Sequence, residues 1–307
     1  MATATLPTPP LPPLSRRRKR YGFTPWLFAL PALAVYLWFL VYPAFSSLFF
    51  SLTDWDGLSP TYQIVGLDNY QAMVHDPVVI HAAINNIIWT IVTIAVPVLL
   101  GLTLAVLLNG KIRGKPVLRM VFYLPGVLPL VSVASIWGWL YNPDYGAINA
   151  FLKAIGLGSL AQPWLGQNST ALFAVMVPAI WLRTGFPMLL YLAALQGISA
   201  DQYEAATMDG ATRWQQFRHI TMPNLRPAHY IVLALSLIDS FKVFDLIYAM
   251  TYGGPGTATQ VMGTWMYFNV FQYYHAGYGT AIAVVITVVA IAVSIPYVLS
   301  QTKDHHR

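Results

Sequence analysis

Charge is absent from four long stretches of this chain: no Asp, Glu, Lys or Arg occurs from Tyr21 to Thr53, from Pro77 to Gly110, from Met120 to Pro143, or from Ala154 to Leu182. The hydrocarbon core of a bilayer needs about 20 mostly apolar residues per helical crossing, and each stretch supplies that many. They predict spans near 26–51, 80–108 and 120–141, and the first half of one near 170–196. A run at 277–299 is also free of charge, and another near 228–250 is interrupted only by Asp239, Lys242 and Asp245. Prolines within the runs, such as Pro31, Pro97, Pro125 and Pro187, are compatible with membrane helices because neighbouring helices re-satisfy the freed backbone groups. The pattern predicts an all-α membrane protein with six transmembrane helices.

Composition agrees. Of 307 residues, 57% are hydrophobic and 9% charged, against about 25% charged in an ordinary soluble domain. Lys and Arg in short loops mark the cytoplasmic side of a membrane protein, and here they segregate. Arg16 to Arg20, Lys111, Arg113, Lys115, Arg119, Arg213, Arg218, Arg226, Lys303 and Arg307 all fall on one side of a six-span arrangement. The other side holds Lys153 with Asp54, Asp56, Asp68, Asp76 and Asp144. Both termini and the loops at 110–119 and 197–227 are therefore expected in the cytoplasm. The net charge of +6 follows from this topology and requires no nucleic acid.

The expected organisation is a basic, Pro-rich, disordered tail over 1–20, a transmembrane domain over 21–303, and a short tail over 304–307. The basic cluster before the first run also fits a signal peptide, with Ala32-Leu33-Ala34 as a faint cleavage site, but the run continues to Thr53 and favours an uncleaved first span. With no Cys in the chain, disulfides and thiolate metal sites are excluded.

No catalytic constellation emerges. The Gly110-Lys111 and Gly114-Lys115 pairs have Ala105 and Asn109 where a phosphate-binding loop needs its first Gly. The seven His residues are scattered without a spacing that would place two ligands on one helix face, and no nucleophile elbow occurs. The chain is expected to be no enzyme, to bind no metal and to carry no cofactor of its own.

The polar insert between the fourth and fifth runs reads EAATMDGATRWQQFRHITMP from Glu204 to Pro223. Ser199 with Gln202 has the capping-box pattern of a helix start, Gly210 suits a helix end, and Thr212 with Gln215 opens a second helix. Pro223 is expected to limit that second helix, since the residue before a proline avoids the helical region. Tyr203, Ala205, Ala206, Met208, Trp214 and Phe217 give this helix-turn-helix elbow an apolar face. It could dock in a groove on a partner or lie on lipid headgroups, and spacing does not choose between the two.

Glu204-Ala205-Ala206, three residues, Gly210, nine residues, then Ile220-Thr221-Met222-Pro223 resembles the EAA loop of the integral membrane subunits of binding-protein-dependent ABC importers. The likeness extends to the sugar-permease branch over nearly all of the chain after residue 20. It runs through YPAFSSLFFSLTDWDG, VGLDNY, FYLPGVLPLVSVASIWGWLYNPDYG, LAALQGIS and SFKVFDLIYAMTYGGPGTAT. Met222 stands where the family pattern has Leu, a volume-conserving exchange, and Ser199 where the branch usually has Pro.

The resemblance implies the type I ABC importer permease fold in the cytoplasmic (inner) membrane of a prokaryote. It implies four partners: a second permease, a homodimeric ABC ATPase that binds ATP-Mg, an extracytoplasmic solute-binding protein and a sugar. The elbow would be the coupling helix. Glu204 would make the polar contact to the ATPase, Ala205 and Ala206 would permit close approach, and Gly210 would form the tip, with Asp209, Ile220 and Pro223 completing the loop. A glycerol-phosphate importer of the same branch is the alternative cargo class; a stand-alone secondary transporter or channel is the alternative from another class, although no convincing inverted repeat is present.

Charges inside spans cost about 2.5 to 3.5 kcal/mol each on insertion scales, so each needs a partner or water. Arg183 and Asp239 fall midway along the fourth and fifth runs and are expected to pair. Asp239, Lys242 and Asp245, spaced i, i+3, i+6, are expected on about 120° of one helix face. This face either lines a sugar path, with Phe186, Tyr248 or Trp181 stacking on rings, or belongs to a buried network that fixes packing. The second reading is favoured for Arg183 and Asp239. The Gly253–Gly256 turn is expected to shape an outer loop.

Overall fold

The computed structural model describes residues 24–110 and 112–304. The tail expected over 1–20 lies outside these residues, as do Lys111 and residues 305–307 of the tail expected over 304–307, whose first residue, Asp304, instead ends a helix. The chain divides into two compact units, one ending at Ser46 and the other running from Ser47. The first holds helix α1 (Thr24–Tyr36), a π turn at Leu37–Val41 and the start of α2 (Tyr42–Phe50).

The second unit contains α3 (Asp68–His75), α4 (Pro77–Asn109), α5 (Lys115–Tyr123), α6 (Leu130–Leu140), α7 (Ala147–Ala154) and α8 (Ala171–Gln196). There follow α9 (Ala200–Met208), α10 (Arg213–Gln216), α11 (Met222–Asn224), α12 (Arg226–Phe241), α13 (Asp245–Thr251), α14 (Met262–Phe271) and α15 (Ala276–Asp304). Among the described residues the extended pairing is a single antiparallel bridge, Thr53 with Ile64.

Among the described residues, four stretches are long and apolar enough to cross a membrane: Leu27–Phe50, Pro77–Asn109, Ala171–Gln196 and Ala276–Tyr297. They coincide with the first, second, fourth and sixth predicted spans. The other two are helical but discontinuous. The third bends by 101° between Lys115–Val127 and Leu130–Leu140, because Pro125 and Pro129 remove two backbone donors and Pro129 pushes Leu128 to an extended ψ of 140°. The fifth breaks after Phe241 and resumes at Asp245.

The centre of the unit is the α4–α8 pair. Gly101 makes the close approach possible: a Cβ there would sit 2.7 Å from the Pro187 Cβ and 2.8 Å from the Met188 nitrogen. Small residues play this role between membrane helices, where lipid is as apolar as the side chains and close packing supplies the attraction. One apolar core joins Trp89, Val133, Val175, Met176 and Ile247, and another joins Val98, Met188, Tyr191, Leu225 and Val232.

Polar side chains tie the ends. Asp76 caps α4 by accepting from the Val78 amide at 2.8 Å, and its other oxygen accepts from Trp265 Nε1 at 3.1 Å and the Tyr278 hydroxyl at 2.7 Å. Asn85 Nδ2 donates to the carbonyls of Ala258 and Gln260, and Asn86 Oδ1 accepts from the Met262 amide. These bonds tie α4 to the loop that contains the Gly253–Gly256 turn, to α14 and to α15.

Candidate functional site

The elbow is built largely from its own hydrogen bonds. Ser199 Oγ accepts from the Asp201 amide at 3.2 Å and starts α9. The reciprocal half of the expected capping box is replaced: Gln202 Oε1 accepts instead from Asn224 Nδ2, at 3.3 Å. The second box forms as expected, with Gln215 Oε1 accepting from the Thr212 amide at 2.7 Å and Thr212 Oγ1 accepting from the Gln215 amide at 3.3 Å. Gly210 sits at φ +78° between the helices, a left-handed position that side chains with a Cβ rarely adopt.

Pro223 does not end the second helix. The chain turns helically from Arg213 to Asn224 through a π turn at Phe217–Thr221, and Met222 stays at φ −62°, ψ −43°. The widened turn, closed by the Met222 amide on the Phe217 carbonyl, separates the proline ring from the carbonyl it would otherwise strike.

The apolar face also splits. Met208 and Trp214 are 89% and 67% exposed, and Trp214 stacks on the half-buried Phe217. Tyr203 instead turns inward, its hydroxyl 2.9 Å from Thr221 Oγ1, which is buried. Glu204, Ala205 and Asp209 are exposed. Ala206, Asp209, Gly210 and Ile220 border one shallow notch of about 340 Å³ at the tip, so the motif residues that the sequence separates by up to fourteen positions meet on one small surface. Pro223 is exposed outside that notch.

The second candidate is a cleft of about 390 Å³ where the bend of span three meets α4, α8 and α12. Arg183, Phe186 and Asp239 line it as the sequence suggests; Tyr123 and Ser236 join them, unforeseen because they come from the bend and from an apolar run. The expected ion pair is replaced by another contact: Arg183 Nη2 donates to the main-chain carbonyl of Asp239 at 3.4 Å. Arg183 Nη1 is buried and meets no acceptor among the described residues.

Asp239, Lys242 and Asp245 do not share a helix face. Lys242 is the C-cap residue of α12 and Asp245 the first residue of α13, each of the sign that complements its helix end. Ser240 Oγ bonds back to the Leu237 carbonyl at 2.7 Å, a local competitor of the helical ladder just before the break. A pocket of about 50 Å³ at the break is bordered by Trp89, Arg183, Lys242, Phe244 and Asp245. Tyr248 stacks on Phe244 in the next turn, with centroids 5.1 Å apart. Trp181 lies against Trp137 at 6.0 Å, outside the cleft.

Residues 97–302 match the family described as binding-protein-dependent transport system inner membrane component. The chain is 39% identical over 273 residues to the probable ABC transporter permease protein YurN of Bacillus subtilis, covering 88% of this chain and 93% of that protein. It is 34% identical over 284 residues to the trehalose/maltose transport system permease protein MalF of Thermococcus litoralis, covering 92% and 94%. A solved structure, a bacterial alginate ABC transporter in complex with an alginate pentasaccharide-bound periplasmic protein, has the same fold at TM-score 0.78 and 24% identity, over 90% of this chain and 92% of that one. The stand-alone secondary transporter falls away, since the family match takes in the bent third span, the elbow and the broken fifth span together; the chain belongs to the inner membrane components of binding-protein-dependent transport systems, as a multi-pass membrane permease.

Proposed function

We propose that the chain is the transmembrane subunit of an ATP-driven carbohydrate importer in the cytoplasmic membrane of a prokaryote. It forms the path with a second permease and receives its cargo from an extracytoplasmic solute-binding protein. Its elbow, carrying Glu204, Ala205, Ala206, Asp209, Gly210, Ile220 and Pro223, seats in a homodimeric ATPase that binds ATP-Mg. The observation that carries the reading is the elbow: a locally braced helix pair with an exposed acidic and small-residue tip beside Met208 and Trp214. Similarity to the trehalose/maltose permease supports a sugar, and membership of the binding-protein-dependent family supports a binding-protein partner. ATP binding would draw the docked elbows together and rock the spans between two states, with cargo-loaded binding protein shifting the balance by its difference in affinity for them.

An anionic cargo such as a glycerol phosphate is the second reading, favoured by the unpartnered Arg183 Nη1. Asp239 lines the same cleft and leaves it with one charge of each sign, which suits a neutral polyol better.

The test is co-purification of the solubilised complex with its ATPase, then ATPase activity with and without loaded binding protein. Glu204→Lys reverses an exposed charge, and Gly210→Pro demands a φ near −65° where the native value is +78°. Both variants are expected to insert but to lose assembly or stimulated activity. Native behaviour in both would sink the coupling role.

A further inference from the structure

We infer that a run of aromatic rings on α13 and α14 faces the water-filled path and offers a stacking surface to the rings of the transported saccharide. The inference rests on the carbohydrate reading above and extends it beyond the Arg183 cleft. The run starts at Phe244, which borders the small pocket beside Arg183. Phe244 meets Tyr248 at 5.1 Å and Tyr267 at 5.3 Å between centroids; Tyr248 meets Tyr252 at 4.8 Å and Tyr267 at 5.2 Å; Tyr267 meets Phe271 at 5.0 Å. Tyr252 and Phe271 are exposed, and Tyr248 and Tyr267 half-exposed. The rings thus form one open surface on the side of the break away from the elbow.

Aromatic residues at a membrane boundary commonly face lipid headgroups. The charges beside this surface argue against that occupant. Asp245 and Tyr248, spaced i, i+3, lie on one side of α13, Tyr252 follows as its left-handed C-cap residue, and both Asp245 and Lys242 are exposed. Ionised groups at membrane depth face water or protein. By contrast, the exposed side chains in the middle of α4, Ile84, Ile87, Ile91, Ala95, Leu99 and Leu100, are all apolar and fit lipid. A surface combining ring faces, tyrosine hydroxyls, one ammonium and one carboxylate matches a pyranose, with its apolar ring face and polar rim.

The native chain has no Cys, so single-Cys variants report on one position each. Tyr267→Cys and Phe271→Cys would be placed in the complete transporter in proteoliposomes and treated with a charged, membrane-impermeant thiosulfonate, with Ile91→Cys as the lipid-facing control. Such reagents attack the thiolate, which forms where water reaches it, so both positions are expected to react at least about tenfold faster than the control. Equal rates would overturn the inference, placing lipid or the second permease on the surface.

Uptake of radiolabelled maltose and maltotriose would then be compared for Tyr248→Leu and Tyr248→Phe. With the ring face lost, Tyr248→Leu is expected to lower uptake about tenfold, and Tyr248→Phe is expected to restore it. Native uptake in Tyr248→Leu would remove the stacking role even if the thiols react. If the native transporter moves neither sugar, maltose-type glucosides are excluded as its cargo, and the thiol rates still decide whether the surface lines the path.

Discussion

The elbow and the break in the fifth span are both short polar interruptions of an apolar chain, yet they satisfy their polar groups in opposite ways. In the elbow, Ser199, Thr212, Gln215, Gln216 and Asn224 find partners within a few turns of chain, and Tyr203 closes the helix pair on Thr221. At the break, Arg183 Nη1 and Trp89 Nε1 are buried without an acceptor among the described residues, and Lys242 and Asp245 stand exposed. Unpaired buried donors cost free energy, so on the proposed function the break would be completed by water, cargo or the second permease. On the same reading the elbow would be complete before it docks, whereas the break would be completed by assembly and transport.

The strongest way to test this difference is Arg183→Met. A guanidinium that contributes mainly to cargo contact or path hydration can be lost without harm to folding, and replacing a poorly compensated buried charge by an apolar side chain is often neutral or stabilising. Thermal stability of the purified subunit is expected to hold or rise while uptake falls by about tenfold or more. A marked drop in stability with uptake falling only in proportion would make Arg183 a packing residue and erase the contrast.

Asp239→Asn probes the same corner more gently. Because Arg183 bonds the main-chain carbonyl of residue 239, the amide variant keeps that contact. In a double-mutant cycle with Arg183→Met, stability effects are expected to add to within about 0.5 kcal/mol. A coupling energy well above that would reveal the carboxylate–guanidinium pair that the spacing suggests.

What the sequence made legible follows the same division. The spans at 26–51, 80–108 and 277–299 could be read from charge-free length alone, and Thr212, Gln215 and Gly210 announced their turns because capping is a matter of residues three or four apart. The bend of span three was less visible, since prolines in membrane helices are often absorbed. The break in span five carried no Pro or Gly; its trace was Lys242 followed three residues later by Asp245, a pair that reads as one helix face until the helix ends are known. The contacts of Asp76 with Trp265 and Tyr278 join residues about two hundred positions apart, and local patterns do not encode such pairings.

The smallest expected effect tests the local side of the comparison. Thr212 Oγ1 accepts from the Gln215 amide, and the loss of such a cap typically costs about 1 kcal/mol. In Thr212→Ala the Gln215 side chain can still accept from the amide of residue 212, so half of the box survives and the elbow is expected to fray rather than unfold. A change of about 1 kcal/mol is roughly a fivefold shift in a local opening equilibrium, and amide hydrogen exchange reads that opening directly. Amides at 215–217 in the purified subunit are therefore expected to exchange about fivefold faster in the variant, with those of α8 and α12 unchanged. Exchange at the native rate would mean that the elbow's order does not come from its own caps, and the distinction between a finished joint and an unfinished break would no longer hold.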